Sequence, residues 1–205
     1  KLEERAKELG ATTKYSSLEV AQAMEALGSA GFDANNIYEA MPGLLDLAAS
    51  GNLELASAAE IAATAVRGFG LTTGDVGHVA DVLAESAART NASVESLGYS
   101  FKYVAPYSAA LNVSIEETAA AIGILSDAGM KGTSAGTTLR GMFSRLAKPT
   151  EKAKEIMEGL GITVYDNEGK FRSISDIIGI VSEKTSGLSE EEKNFALSTI
   201  FGQQA

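Results

Sequence analysis

The sequence predicts a mainly α-helical protein of many short helices joined by Gly-rich turns, with one small β-hairpin near residues 162–172. Polar capping residues followed three positions later by an acid recur along the chain, and this pattern marks helix starts. Apolar residues then follow at the i, i+3, i+4, i+7 spacing of one buried helical face. The 21 glycines fall between these stripes. Each would cost roughly 1 kcal/mol relative to Ala inside a helix, so a single long rod is excluded.

Helix starts and stops can be assigned in order along the chain. The predicted capping pairs are Ser16 with Glu19, Thr72 with Asp75, Ser114 with Glu117, and Ser189 with Glu192. The predicted stops are Gly31 and Gly129, because Gly adopts the left-handed conformation without steric penalty. Two further stripes are Leu139, Met142, Phe143 and Leu146, and Ile174, Ile177, Ile178 and Val181. In total these patterns predict nine or ten short helices.

The segment from Ile162 to Arg172 departs from helical spacing. Its β-branched and aromatic residues flank an Asp-Asn-Glu-Gly turn, which is typical of a hairpin. Because an isolated hairpin is marginal in water, we expect it to pack against the helices on either side. Lys148-Pro149-Thr150 is the predicted domain boundary. It separates a helical core segment, residues 1–148, from a smaller part at 149–205 with a helix, the hairpin and two helices.

The composition argues against several classes of site. The chain has 205 residues and no Cys, which excludes disulfides and thiol chemistry and fits assembly in a reducing cytoplasm. Its formal net charge of −10 opposes binding to phosphate backbones, so we expect no specific nucleic-acid binding. No stretch approaches the roughly 20 apolar residues of a membrane-spanning helix, and we expect a soluble chain. Because it begins at Lys1 without Met, we expect a fragment of a longer chain.

No catalytic, cofactor or metal site is predicted, and we expect a protein that is not an enzyme. His78 is the sole histidine, and a metal site would need further ligands at matched spacing. A position on a helix face is therefore the better interpretation of His78. The Gly-rich segment 68–74 has the wrong spacing for a dinucleotide fingerprint, and the segment 129–137 lacks the Gly-Lys-Ser or Gly-Lys-Thr order of a P-loop.

The charge is unevenly distributed. Residues 16–100 contain 11 acids and two bases, whereas residues 128–150 contain four bases and no acid. Those four bases, Lys131, Arg140, Arg145 and Lys148, form a candidate partner-docking stretch. Three interpretations stay open: a solvated helix face, a docking surface for an acidic partner, or a docking surface for this protein's own acidic N-terminal half.

Three tyrosines stand four residues apart, at Tyr99, Tyr103 and Tyr107, and therefore share one helical face. Rows of aromatic residues can stack the bases of nucleic acids. Only Lys102 is close to them in sequence, and the chain is acidic. Packing in the core or against a partner is therefore favoured over base stacking.

The order of segments resembles the core region of the tail tape measure proteins of long-tailed bacteriophages. The most specific stretch runs from Asp127 to Arg140 and continues into Ser144-Arg145-Leu146. The other stretches that carry the resemblance are residues 41–49, 58–62, 68–71, 103–106, 169–171 and 200–205. None of them is a catalytic motif, so the resemblance transfers no active residue.

The resemblance implies a structural protein of a long-tailed phage or prophage that templates tail tube length and assembly and leaves the tail during genome delivery. It implies a location in the virion, inside the tail tube, after assembly in the host cytoplasm. The implied partners are the tail tube protein, tail assembly chaperones and tail-tip hub proteins, and we also expect self-association. The alternative is a peptidoglycan-degrading or membrane-active tail component. Nothing in the residues favours peptidoglycan degradation, and the Ala and Gly richness of residues 110–141 is the only support for membrane activity.

Overall fold

The computed structural model describes residues 1–202, which form eleven α-helices and one short 3₁₀ turn at Thr73–Asp75. The helices are α1 Leu2–Thr12, α2 Ser17–Ser29, α3 Ala34–Gly51, α4 Leu55–Gly68, α5 Val76–Arg89, α6 Val94–Ala110, α7 Ile115–Asp127, α8 Thr133–Ala147, α9 Glu151–Leu160, α10 Ile174–Thr185 and α11 Glu190–Phe201. The prediction of a mainly α-helical chain is confirmed, with one or two helices more than the sequence indicated. Gln203, Gln204 and Ala205, which end the resemblance and the predicted second part, lie outside the described residues.

Three of the four predicted capping pairs form reciprocal boxes, with Thr72 and Asp75 at the 3₁₀ turn before α5, whereas Ser114 caps α7 but the Glu117 carboxylate accepts from the Ile174 amide instead. At the start of α2 the Ser16 amide donates to Glu19 Oε2 at 2.7 Å, and the Glu19 amide donates to Ser16 Oγ at 3.3 Å. The Ser16 hydroxyl and then its amide hold the pKa of Glu19 below its ordinary value. Ser189 and Glu192 repeat this box at α11. These reciprocal hydrogen bonds satisfy amides that the first helical turn leaves without a partner.

Most helices end in the same kind of turn, in which a left-handed residue is followed by an apolar one. The predicted stops at Gly31 and Gly129 are confirmed, with φ of 89° and 93°. Four further stops were not predicted: Gly70 and Gly161, with φ of 67° and 69°, and Asn52 and Asn112, with φ of 50° and 57°. The amide after each left-handed residue bonds a carbonyl five positions back, as Phe32 does to Leu27 at 3.1 Å. At each of these helix ends the turn reverses the direction of the chain.

The first eight helices form two packed layers. One layer contains α2, α4, α6 and α8, which begin 38 or 39 residues apart, and the other contains α3, α5 and α7, with α1 packed against α2. Helices within the first layer are parallel, because Ile61 of α4 meets Gly98 of α6 while Gly68 of α4 meets Ala105 of α6. The apolar stripes of both layers face each other and form one continuous core.

Small residues bring adjacent helices of the first layer into close contact. At Gly136 in α8, an added Cβ would lie only 2.4 Å from the carbonyl oxygen of Ser100 in α6. Ser100 is fully buried, and its hydroxyl donates to the Gly132 carbonyl at 2.7 Å. The absent side chain of Gly136 therefore sets the distance between α6 and α8.

A second, smaller hydrophobic cluster follows the two layers. Its buried members are Leu146, Met157, Ile162, Val164, Ile177, Val181 and Ile200. Helix α8 contributes Leu139 and Phe143 to the first cluster and Leu146 to the second. The second cluster thus begins just before the domain boundary expected at residues 148–150, and that boundary stays a prediction.

The predicted β-hairpin at residues 162–172 is wrong. No strand forms in the described part of the chain, and this segment contains one isolated antiparallel bridge, between Tyr165 and Phe171. Two backbone hydrogen bonds of 2.9 Å flank this bridge, from the Asp166 amide to the Lys170 carbonyl and from the Arg172 amide to the Val164 carbonyl. On either side the chain turns into a helix end, since the Ile162 amide closes α9 through the Met157 carbonyl at 2.8 Å and Ser173 caps α10. Too few residues remain between these caps for a ladder of paired strands.

Candidate docking surface

Residues 1–202 contain neither a candidate cluster of metal ligands nor a candidate membrane-spanning helix. No three His, Cys, Asp or Glu side chains in this part of the chain are grouped so that they could hold a metal ion. None of its helices is long and apolar enough to cross a bilayer.

His78 lies on the exposed surface of α5 and joins that helix to α7. Its Nε2 is 2.6 Å from Oε1 of Glu116, and both side chains are about half exposed. Partial burial opposes ionisation of Glu116, but its own backbone amide, the Ser114 hydroxyl and His78 together hold the pKa of Glu116 below its ordinary value. An exposed pair of this kind contributes little to stability.

The structure divides the basic stretch instead of gathering it into one patch. Lys131, Arg140, Arg145 and Lys148 are all exposed, and none has a carboxylate within 4 Å among residues 1–202. Arg140 points towards α6, whereas Arg145 lies against the end of α11, where a Cβ added at Gly202 would be 3.0 Å from Arg145 Nε. Five positions on a helix turn the side chain by about 140°, which explains this separation.

The tyrosine row occupies the exposed side of α6. Tyr99, Tyr103 and Tyr107 are 46%, 38% and 40% exposed, while Phe101 and Val104 of the same helix are buried in the core. These tyrosines therefore do not pack in the core, and packing against a partner stays a prediction. Tyr is enriched at protein interfaces, because its ring supplies a large apolar area and its hydroxyl can form a hydrogen bond.

Cations lie beside two of the three rings. Lys102 Nζ is 5.2 Å from the ring centre of Tyr99, and the Arg140 guanidinium is 5.8 Å from the ring centre of Tyr107. Lys131 precedes Gly132, where an added Cβ would be 3.8 Å from Cβ of Tyr99. We call this surface of α6 and α8 the tyrosine face; it consists of Tyr99, Lys102, Tyr103, Tyr107, Lys131 and Arg140.

The tyrosine face combines two features that the sequence analysis treated separately. The tyrosines and the basic residues are separated along the chain, and the parallel packing of α6 against α8 brings them together. Phenol hydroxyls and exposed cations both donate hydrogen bonds, so this surface is suited to carboxylates. One face each of Tyr99 and Tyr107 is already covered by a cation, which reduces the area on which a base could stack.

An apolar groove lies at the other side of α8. It has a volume of about 570 Å³ and runs between α7, α8 and α10. Ile124 on α7 is 65% exposed there, and Ile178 on α10 is 50% exposed. The prediction that Ile178 belongs to a buried stripe is wrong, because the buried side of α10 consists of Ile174, Ile177, Val181 and Thr185. A second apolar groove lies between α1 and α2 beside the largely exposed Leu18.

Comparison with known proteins places these features in a family. The sequence model of the family described as "Phage-related minor tail protein" matches residues 3–202. The chain is 46% identical over 205 residues to the tape measure protein of Pneumococcus phage Dp-1, and 32% identical over 206 residues to the probable tape measure protein of Escherichia phage P2. Both alignments cover 100% of this chain but only 18% and 25% of those proteins. No solved structure matches the chain significantly.

Proposed function

This chain belongs to the family of phage-related minor tail proteins, and we propose that it is a structural segment of a tail tape measure protein from a long-tailed phage or prophage. The observation that carries the proposal is the similarity to two tape measure proteins along the entire chain. In this role the parent protein templates the length and assembly of the tail tube and leaves the tail during genome delivery. The segment itself is not an enzyme.

Charge supports this role for a protein that precedes DNA through the tube. The net charge is −10, and the tyrosine face is a small basic area on an acidic molecule. Binding to DNA backbones depends on Lys and Arg displacing counterions, so such a protein does not hold the genome back. We place the parent inside the tail tube after assembly in the host cytoplasm, with the tube protein, assembly chaperones and tail-tip hub proteins as its partners.

The proposal is tested on virions of a phage that encodes the parent. Mass spectrometry of intact particles should detect the parent protein, and particles that have released their DNA should be depleted of it relative to the tube protein. Equal amounts before and after release would contradict the proposed exit. The purified chain should show no muramidase activity and no leakage from liposomes, with an active muramidase and a pore-forming peptide as positive controls. Activity in either assay would overturn the structural assignment.

A further inference from the structure

The two exposed faces of the packed layers carry opposite charges. The tyrosine face lies on α6 and α8, and the residues 128–150 that include α8 contain no acid. The outer surface of α3 and α5, in the other layer, carries four exposed acids, Glu39, Asp46, Asp81 and Glu85. We call these four residues the acidic face.

The acids of the acidic face are largely uncompensated. Arg89 is the one Lys or Arg on α3 and α5, and it is bound to Glu85. The neighbouring His78 is occupied by Glu116. Within residues 1–202, no basic group lies within 4 Å of Glu39, Asp46 or Asp81.

The two faces cannot meet within one molecule. They belong to different layers, and the buried core between the layers holds the helices about 8–10 Å apart, axis to axis. Side chains on the outer surface of one layer therefore point away from those on the other. This removes α3 and α5 of the same molecule as a docking site for the basic residues, although the same two helices of a second molecule remain accessible.

We propose that the tyrosine face of one copy of this chain docks on the acidic face of a second copy. Arg140 and Lys131 would meet the carboxylates of Asp46 and Asp81, and the tyrosine rings would supply the apolar centre. Tyr and Arg are the residues most often found at the energetic centre of protein interfaces. The contact is heterologous, so each added copy leaves one face of each kind free, and association continues beyond a dimer. It does not depend on the proposed role in a phage tail.

Lys102 is the weaker of the cations on this face. It shares a small cavity with Glu60 and Glu95, whose carboxylates reduce the local positive charge. Arg140 and Lys131 have no acid beside them in sequence from residue 128 to residue 150. The test therefore changes Arg140 and Lys131 and leaves Lys102 in place.

The experiment uses sedimentation velocity of the 205-residue chain at increasing concentration and low salt. The wild type should form species that grow with concentration and dissociate at high salt, since exposed charge pairs are screened. The pair Lys131→Glu and Arg140→Glu reverses the charge of the tyrosine face, and the pair Asp46→Asn and Asp81→Asn neutralises the acidic face, so the two altered faces do not attract each other. Each double variant alone should associate about tenfold more weakly or worse.

Mixing the two double variants gives the decisive measurement. The first variant keeps an intact acidic face and the second keeps an intact tyrosine face, so an equimolar mixture should form a one-to-one dimer that does not grow further. Lys148→Glu with Lys152→Glu is the matched control, because it makes the same charge change at exposed lysines outside the tyrosine face. This control should associate as the wild type does.

Three results would overturn the proposal: a wild type that stays monomeric at every concentration in low salt, double variants that associate like the wild type, or a mixture that stays monomeric. Binding of an oligothymidylate that Arg140→Glu abolishes would also overturn it and reassign the face to single-stranded nucleic acid. Circular dichroism melting curves check the fold of every variant. Where a double variant melts early, Arg140→Gln and Asp81→Asn replace it with smaller changes.

Discussion

The contact between α6 and α8 at Gly136 allows the packing to be tested by one methyl group. In Gly136→Ala the added Cβ would lie 2.4 Å from the carbonyl oxygen of Ser100 and 2.7 Å from its Cα. Unstrained carbon contacts are about 3.5 Å or longer, so α8 must move away from α6 by about 1 Å. The obstructing atoms belong to the backbone of a buried helix and cannot rotate aside.

Three contributions decide whether Gly136→Ala raises or lowers the free energy of unfolding. Overpacking a well-packed contact costs about 1–3 kcal/mol. The displaced helix also weakens the hydrogen bond from the Ser100 hydroxyl to the Gly132 carbonyl, now 2.7 Å long and worth about 0.5–1.5 kcal/mol. Replacing Gly by Ala inside a helix returns about 1 kcal/mol. The net expectation is a loss of about 1–3 kcal/mol in the free energy of unfolding, or roughly 3–9 °C in melting temperature for a chain of this size.

Gly141→Ala is the matched control on the same helix. A Cβ at Gly141 has no neighbouring atom within 4 Å, so only the helix-propensity gain remains. This variant should therefore be more stable than the wild type by about 0.5–1 kcal/mol. Urea unfolding followed by circular dichroism measures both variants. If Gly136→Ala stabilises the protein as Gly141→Ala does, the close approach of α6 and α8 is refuted.

Three further predictions concern the caps, the turn after α9 and the role of α7. The folded pKa of Glu19 lies below its unfolded value of about 4.5. The stability that Glu19 contributes is therefore present above the unfolded pKa and is lost as pH falls through the folded pKa. In Ser16→Ala the free energy of unfolding should depend less steeply on pH in this range, and an unchanged slope would contradict the linkage. The Asp166 carboxylate accepts hydrogen bonds from the Glu168 and Lys170 amides at 2.9 Å each. The variant Asp166→Ala should therefore speed hydrogen exchange at both amides while exchange in α3 is unchanged. Unaltered exchange at these two amides would show that the turn does not need this carboxylate. Deleting Ser114 to Gly129 from the parent in a phage should abolish tail assembly, because the deletion removes α7 from the core. Electron microscopy of the particles measures this. Viable tails shorter by about 24 Å, the length of 16 helical residues, would contradict the prediction.

Local signals were readable from the sequence because each needs only a few neighbouring residues. Ser16 with Glu19 defines a helix start, and Gly31 defines a stop. Asn112 was missed as a stop since Asn adopts the left-handed conformation less often than Gly, and its neighbours also fit a helix start. The segment at 162–172 had a strand-like composition, but the ends of α9 and α10 lie so close to it that only one bridge with two flanking backbone hydrogen bonds forms.

The candidate site was only partly predictable, because a surface is defined by helix packing and not by order along the chain. The sequence grouped Arg140 with Arg145, which the helix places on different sides of α8. It kept Arg140 apart from Tyr107, which the packing of α6 against α8 brings together. Nothing in the residues around Gly136 reveals that Ser100 lies against it. The repeated spacing of helix starts in one layer marks α6 and α8 as equivalent elements but does not identify this contact.

The repeated spacing also bears on how this segment relates to tail length. Adjacent helices of one layer lie about 8–10 Å apart, so the stack advances by that distance for each 38 or 39 residues. The same number of residues in a continuous helix would span about 58 Å. A ruler built from this segment would therefore use about six times more chain per unit length than a helical rod. This ratio favours a folded block as the role of the segment, and under the proposed function the measurement of length would belong to other parts of the parent.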